Sequence, residues 1–210
     1  MMHPAPSSFI LSLPKADLHL HLEGSIDPAT WLELRKRHGK PGTLSEIEQL
    51  YQYENFNGFL MAFKTVTEDL QSPDDYELIT YRLMEKLEAE NVLHAEVYVS
   101  VGVCLWRKQD FDAIFEGLER GRKRGQQEFG TSLLWIFDAV RQFGPLEAQR
   151  VAEFAIRYQD RGVAGFGIGG DEQKAGPELF RDVYAHCAKN GLHLTLMQAR
   201  VRGRTQFGAL

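Results

Sequence analysis

Ala16-Asp17-Leu18-His19-Leu20-His21-Leu22 is the stretch of sequence that decides the fold. Polar and apolar residues alternate strictly along it, and this alternation predicts a β-strand with two different faces. Asp17, His19 and His21 share one face, and the three leucines share the other. In a parallel β/α barrel the leucine face would pack against the surrounding helices, and the polar face would point into the barrel.

Two histidines on one face of a strand favour a metal site. Imidazoles two residues apart can reach one ion, and neutral imidazole is a good ligand for Zn²⁺. The end of a barrel strand is also where barrel enzymes carry out their chemistry. The competing interpretation is that His19 and His21 are structural histidines with satisfied hydrogen bonds on a half-exposed strand.

Beyond residue 90 the chain alternates strands and helices with short connections. Strands are predicted over residues 92–100, 132–140, 163–168 and 192–196, and helices over residues 110–129, 145–160 and 177–190. This order predicts parallel strands joined by crossover helices, as in a TIM-type barrel or a doubly wound sheet. No GxGxxG motif follows the first strand, so nothing supports a dinucleotide-binding fold.

The length limits how much of a barrel this chain can form. A closed (β/α)8 barrel takes about 250 residues, and this chain has 210. We therefore predict one α/β domain over residues 1–210, a (β/α)8 TIM barrel of the metal-dependent hydrolase type that is incomplete, with about the first five strands. Residues 1–12 are expected to form a loose leader. A capping box is predicted from Ser45 to Glu48.

Composition narrows the class of protein. The formal net charge of −5, with 43% hydrophobic and 25% charged residues, is typical of a soluble globular chain. The acidic balance argues against nucleic acid as a partner. The basic residues of one predicted helix, expected to form a solvated face, are Arg120, Arg122, Lys123 and Arg124.

The cysteines and the N-terminus point to a cytoplasmic protein. Cys104 and Cys187 are far apart and lack CxxC spacing, so we expect buried free thiols in a reducing compartment. The apolar run over residues 9–13 is too short for a signal peptide. No window approaches the ~20 apolar residues of a membrane span, so no membrane partner is expected.

The first strand also carries a longer motif. Pro14-Lys15-Ala16-Asp17-Leu18-His19-Leu20-His21-Leu22-Glu23-Gly24-Ser25 resembles the N-terminal signature of the adenosine deaminase family, PKxxLHxHLxGS. The resemblance implies that His19 and His21 are zinc ligands, that His21 and Glu23 contact the substrate, and that Glu23 lies near its ribose side. It also implies that Gly24 lets the backbone approach the ligand.

A second motif follows the strand predicted over residues 163–168. Gly169-Gly170-Asp171-Glu172 resembles the family's GxDLxGxE turn, whose glycine contacts the purine ring and falls on Gly170. The competing interpretation is an ordinary βα turn, which also favours Gly and Asp. The helix over residues 56–69 resembles the family's lid, although core packing is favoured for most of Phe56, Phe59 and Phe63.

The sequence departs from the family pattern at two positions. Tyr98 stands where the family usually has Arg, and Gly167 where adenosine enzymes often have Asp. Together with the sequence HLEGS at residues 21–25, these differences make the chain resemble bacterial branches of the family that act on adenine or on 6-amino-6-deoxyfutalosine. The expected partner is therefore a small purine substrate, most simply a nucleoside, with adenine as an alternative.

The family's third zinc histidine and its general acid/base Glu lie in a HAGE motif after the fifth strand, and this chain has none there. The genetic code permits a DNA spelling of residues 197–210 that also makes sense in a second frame. Read one base earlier, from the last base of the Leu196 codon, it encodes His-Ala-Gly-Glu-Gly-Ser-Gly-Pro-Asn-Ser-Ile-Trp-Gly-Ala. The family sequence has a similar pattern at this point, HAGE followed by GPxSIW. We therefore expect residues 197–210 to be an out-of-frame tail, and the chain to have no catalytic Glu and little activity.

Two other functions remain open from the sequence. A PHP-type phosphoesterase also carries HxH on its first strand, but it would need further His and Asp ligands soon after and a small residue directly after His21, where this chain has Leu22. A pseudoenzyme or non-catalytic binding fragment is the other alternative.

Overall fold

The computed structural model of the protein describes residues 8–171 and 174–197. Its strands are β1 (Lys15–His21), β2 (Val92–Val99), β3 (Ser132–Val140), β4 (Val163–Gly169) and β5 (His193–Leu196). Its α-helices are α1 (Ser8–Ser12), α2 (Pro28–Arg37), α3 (Leu44–Leu50), α4 (Phe56–Thr67), α5 (Pro73–Ala89), α6 (Val101–Trp106), α7 (Phe111–Phe129), α8 (Pro145–Arg157) and α9 (Arg181–Lys189).

The five strands form one sheet in the sequential order β1-β2-β3-β4-β5. The pairs β3–β4 and β4–β5 are parallel, with Asp138 opposite Gly167 and Gly167 opposite Thr195. Helices connect each strand to the next, so the chain has the predicted β/α alternation of a TIM-type barrel with five strands present. By its contacts the chain divides into two compact units, Met1–Glu96 with Asp112–Leu133 and Val97–Phe111 with Leu134–Leu210.

In the first unit, close packing of α7 on α5 depends on glycine. A Cβ at Gly117 would lie 2.0 Å from the Pro73 carbonyl oxygen, and one at Gly121 would lie 2.6 Å from the Glu77 carbonyl oxygen. Residues four apart share one helix face, so these glycines allow the two backbones to approach. The exposed side of α7 carries Arg120, Lys123 and Arg124, and Arg120 pairs there with Asp74 and Glu77 at 2.7 and 2.5 Å. The predicted solvated face is wrong for Arg122, which is half-buried and pairs with the buried Glu119 at 2.7 Å.

In the second unit, aromatic residues fill the space between the sheet and its helices. Phe111 packs edge-on against Phe137 of β3 and Phe154 of α8, with ring centroids 5.2 and 5.1 Å apart. Phe166 of β4 packs against Tyr184 of α9 at 5.6 Å. Phe137 and Phe166 are fully buried, so burial of apolar area stabilises this part of the sheet.

The leucine face of β1 differs from the expectation. Leu22 is fully buried, but Leu18 is 57% exposed. The reason is that β1 is the outermost strand in the sheet order, and an edge strand has fewer neighbours to cover its side chains. The prediction that all three leucines pack under helices is therefore wrong for Leu18.

Two local predictions need correction, and one helix was not predicted. Residues 8–12, expected to be loose, form α1, while residues 1–7 lie outside the described part. The capping box at α3 joins Thr43 to Glu46 rather than Ser45 to Glu48. The sequence patterns did not indicate α6, which begins two residues after β2 ends. None of the helices in the described residues has the length and apolar character to cross a bilayer.

Candidate metal and substrate site

The two histidines of β1 lie side by side at the end of the strand. Their ring centroids are 5.3 Å apart with an interplanar angle of 60°, which confirms that they share one face. His19 is exposed, and His21 is half-buried. The backbone N–H of His19 donates to Asp17 Oδ1 at 3.2 Å, so the Asp17 carboxylate bonds along its own strand.

This arrangement fits part of a zinc site. Rings 5.3 Å apart can both turn a nitrogen toward one ion, since each zinc–nitrogen bond is about 2.0–2.1 Å. Catalytic zinc sites take three protein ligands and keep one position open. Across residues 8–171 and 174–197, no group of three or more His, Cys, Asp or Glu side chains is arranged to hold a metal ion. Among the described residues, His19 and His21 are thus two candidate ligands without a third beside them.

A short 3-10 helix, Glu23–Ser25, follows β1 directly. The Glu23 side chain is buried, with only 4% of its surface exposed. Ser25 Oγ donates to the Leu22 carbonyl at 2.7 Å, and Lys86 Nζ donates to the Ser25 carbonyl at 2.9 Å. These bonds hold the turn, and with it Glu23, beside the histidines.

Helix α4 lies next to this turn. A Cβ at Gly24 would lie 3.5 Å from His21 Cβ and 4.0 Å from Phe63 Cε2. Phe63 and Phe59 are half-buried, and their ring centroids are 6.1 Å apart. The side chain of Phe56 lies outside the described residues. Phe59 and Phe63 are therefore not full core residues, and the part-exposed aromatic face of α4 borders the turn that follows His21.

The second predicted motif lies at the end of β4, where Gly170 has φ +101°. A Cβ at Gly170 would also lie 2.4 Å from Gln142 Oε1. The N–H of Asp171 donates to the same oxygen at 3.0 Å. The backbone conformation thus favours glycine here, and a side chain would also have to displace the Gln142 amide. Glu172 lies outside the described residues.

A buried carboxylate on β3 escaped the sequence reasoning. Asp138 has 6% of its surface exposed. Its Oδ1 lies 3.1 Å from the Cβ position of Gly167, and Tyr98 Cε1 lies 3.2 Å from the same point. The signal was an Asp in the otherwise apolar strand segment Phe137-Asp138-Ala139. Tyr98 and Gly167 are the two departures from the family pattern, and the Asp138 carboxylate therefore lies beside them.

Two further groups shape this interior. Arg141, 1% exposed, donates from Nη1 to the Ala175 carbonyl at 3.3 Å and from Nη2 to the Met197 carbonyl at 2.6 Å. Tyr184 Oη donates to the Thr195 carbonyl at 2.6 Å. Burial, with a smaller contribution from the Asp138 charge, raises the pKa of Tyr184 well above its usual value, so the hydroxyl stays a neutral donor.

Comparison with known proteins identifies relatives over almost the whole chain. A family model described as adenosine deaminase matches residues 14–203. An adenine deaminase of Vibrio parahaemolyticus is 29% identical over 203 residues, which is 95% of this chain and 60% of the relative. An aminodeoxyfutalosine deaminase of Streptomyces coelicolor is 31% identical over 191 residues, which is 89% of this chain and 49% of the relative.

Solved structures agree with the fold. An amidohydrolase from Burkholderia ambifaria with bound zinc superposes with a TM-score of 0.80 at 28% identity, covering 90% of this chain and 53% of that one. An adenine deaminase from Arthrobacter aurescens gives 0.78 at 24% identity, covering 87% and 57%. The chain thus spans about half to three-fifths of the length of the relatives it matches.

Proposed function

Because the chain belongs to the adenosine deaminase family, we propose that it carries the first half of a zinc site that removes the 6-amino group of an adenine-type purine nucleoside by hydrolysis. The paired rings of His19 and His21 at the end of β1 are the observation that carries this proposal. The names of the relatives, adenine deaminase and aminodeoxyfutalosine deaminase, support a 6-aminopurine substrate.

Each residue predicted for the site has a task in this proposal. His19 and His21 would hold the zinc ion with neutral imidazole nitrogens. Bound zinc supplies a water whose pKa is lowered toward neutrality. Glu23, buried beside His21, would accept hydrogen bonds from the ribose side of the substrate. Gly170, which has no side chain of its own, would let the purine ring approach the end of β4.

The remaining groups of the reaction are proposed to lie outside this chain's described residues. A third zinc ligand and a general acid/base are needed to complete the site. We propose that both belong to the sequence encoded in the other reading frame after Leu196, and that residues 197–210 of the present chain replace it. Purified chain 1–210 is then expected to release little ammonia from adenosine or adenine, and robust turnover would contradict this.

The test of the metal half-site is zinc binding by titration calorimetry. His19→Asn with His21→Asn should abolish the zinc binding of the wild-type chain. His193→Asn is the matched control, because His193 is an exposed histidine at the start of another strand, β5; it should bind zinc like the wild type. Equal zinc binding by the double variant and the wild type would refute the assignment.

Two alternatives are separated by their substrates. A PHP-type phosphoesterase would hydrolyse a phosphate monoester with Mn²⁺, and the proposed deaminase would not. A pseudoenzyme or non-catalytic binding fragment would hydrolyse neither substrate, and zinc stoichiometry together with purine binding would then separate a dead site from a weak one. Titration with adenosine and adenine therefore completes the experiment.

A further inference from the structure

A short connector, residues 25–27, joins the 3-10 helix Glu23–Ser25 to α2. Ile26 is extended, with φ −65° and ψ 113°, and only 4% of its surface is exposed. Asp27 caps α2, because its Oδ1 accepts the hydrogen bond of Thr30 N at 2.7 Å. The connector therefore fixes the backbone between the turn after β1 and the start of α2.

Lys86 of α5 binds the connector at both ends. Its Nζ donates to the Ser25 carbonyl at 2.9 Å and pairs with Asp27 Oδ2 at 2.7 Å. An ammonium group has three donors, so one lysine side chain can satisfy both acceptors at once. The first and last residues of the connector are thus tied to the same atom of another helix.

Tyr51 holds the middle of the connector. This residue is the C-cap of α3, and its Oη donates to the Ile26 carbonyl at 2.8 Å. Its ring lies against Trp31 of α2, with centroids 6.1 Å apart. Burial raises the pKa of Tyr51 well above its usual value, so the hydroxyl stays protonated and remains a donor. Side chains of Tyr51 and Lys86 therefore bond all three residues of the connector.

A direct path leads from the connector to His21. Ser25 N and Ser25 Oγ both donate to the Leu22 carbonyl, at 3.1 and 2.7 Å, and Leu22 follows His21 in the chain. Leu22 is also fully buried. All of these groups lie in the first compact unit, together with His19 and Glu23. A displacement of Ser25 is therefore passed to the residue next to a candidate ligand.

We propose that Lys86 and Tyr51 are positioning residues of the metal half-site formed by His19 and His21. They hold the connector, and the connector holds the backbone that follows His21. This proposal rests on the zinc site proposed above. Ligands that are held in place before the ion arrives lose less conformational freedom on binding, so the loss of either side chain should lower the affinity for zinc.

The test measures zinc affinity by titration calorimetry for chain 1–210 and two variants. Lys86→Met removes the ammonium group and keeps a side chain of similar length. Tyr51→Phe removes one oxygen and keeps the ring on Trp31. Each variant should bind zinc about 3- to 10-fold more weakly, the change that corresponds to a lost hydrogen bond. Hydrogen exchange of the Ser25 amide should also become faster in both variants.

The matched control is Arg82→Met, since Arg82 lies one helical turn before Lys86 and makes partly exposed ion pairs with Glu33 and Glu85 at 3.0 and 2.9 Å. These pairs involve α2 and α5 rather than the connector, so the control should keep wild-type zinc affinity and exchange. Both lysine and arginine variants should change the free energy of unfolding in urea only slightly, because partly exposed ion pairs contribute little stability. Zinc affinity is therefore the quantity that separates them.

Wild-type zinc affinity in Lys86→Met or in Tyr51→Phe would overturn the role of that residue. Equal weakening in Arg82→Met would indicate a general effect of the lost charge and would overturn the role of Lys86. If the wild type binds no zinc, the proposed function fails and this inference fails with it. Failure of the variants to differ from a wild type that binds zinc overturns the positioning role alone.

Discussion

Asp138 occupies the space that a side chain at Gly169 would need: its Oδ2 lies 2.9 Å from the Cβ position of Gly169. The other carboxylate oxygen, Oδ1, lies 3.1 Å from the corresponding position of Gly167. One buried carboxylate on β3 therefore lies over two glycines of β4. The glycines and the aspartate form a single packing unit in which any added methyl group must displace the carboxylate.

Gly169→Ala should destabilise the protein through this contact by about 1–3 kcal/mol, the usual cost of overpacking. In an Asp138→Ala background the same change should cost much less, because the carboxylate that it meets is gone. Urea unfolding of the four proteins in the cycle measures the coupling. Gly24→Ala is the control, because its Cβ would meet ordinary contacts at 3.5 and 4.0 Å. An unchanged cost in the Asp138→Ala background would contradict the packing unit.

Gly170→Ala should weaken both folding and purine binding. The left-handed φ of +101° is unfavourable for alanine, and Gln142 Oε1 lies 2.4 Å from the new Cβ. We expect a loss of stability of about 1 kcal/mol or more. Adding Gln142→Ala removes the clash but not the backbone strain, so it should restore only part of the stability. Full recovery in the double variant would show that conformation plays no role at this turn.

The two cysteines should be inert in the folded protein. Cys104 and Cys187 are buried, with 1% and 0% of their surfaces exposed, and burial raises the pKa of Cys187 to about 12. Since the thiolate is the reactive form, iodoacetamide should label neither residue near neutral pH. Both should react once denaturant unfolds the chain. Rapid labelling of Cys187 in the native protein, detected by mass spectrometry, would contradict its placement in α9.

Asp27 should make the stability of the folded protein depend on pH in the acid range. Burial alone would raise its pKa, but the hydrogen bonds from Lys86 and Thr30 outweigh it and hold the pKa below 3.8. A carboxylate with a lowered folded pKa stabilises the protein above about pH 3.8, and this contribution is lost as the pH falls through the folded value.

Asp27→Asn should therefore flatten the acid limb of a urea-stability profile. Asparagine can still cap α2, so the cost near pH 7 should be below about 1 kcal/mol, the range of an exposed ion pair. Glu33→Gln is the comparison, since it breaks another partly exposed ion pair, with Arg82 at 3.0 Å, without touching a helix cap. A variant profile parallel to the wild type down to low pH would exclude this role for Asp27.

The coding DNA tests the origin of residues 197–210. We expect the codons after Leu196, read one base earlier, to encode His-Ala-Gly-Glu. A version expressed in that frame should bind zinc more tightly than chain 1–210, because a third imidazole joins His19 and His21. Codons that cannot yield this motif in another frame would end the hypothesis.

The sequence patterns predicted the parts of the fold that follow from periodicity. The alternation along residues 16–22 identified β1 and the shared face of its histidines, and the apolar runs located β3 within its exact bounds, Ser132–Val140. What the patterns missed depends on neighbours distant in sequence. The exposure of Leu18 follows from the sheet order. The contact of the Asp138 carboxylate with the Cβ position of Gly169 follows from the register of β3 and β4, in which Asp138 lies opposite Gly167. Helix α6 was too short for its period to be visible.

The hydrogen bonds of Arg141 have a consequence for how this protein can diverge. Its two acceptors, at Ala175 and Met197, are main-chain carbonyls. The hydrogen bonds of the guanidinium therefore do not depend on which side chain stands at either position. Mutational scanning should find position 141 intolerant and positions 175 and 197 permissive wherever the replacement fits the local space. One buried cation can thus preserve the geometry of the sheet end while the side chains around it change, which leaves that edge open to evolutionary change in what it recognises.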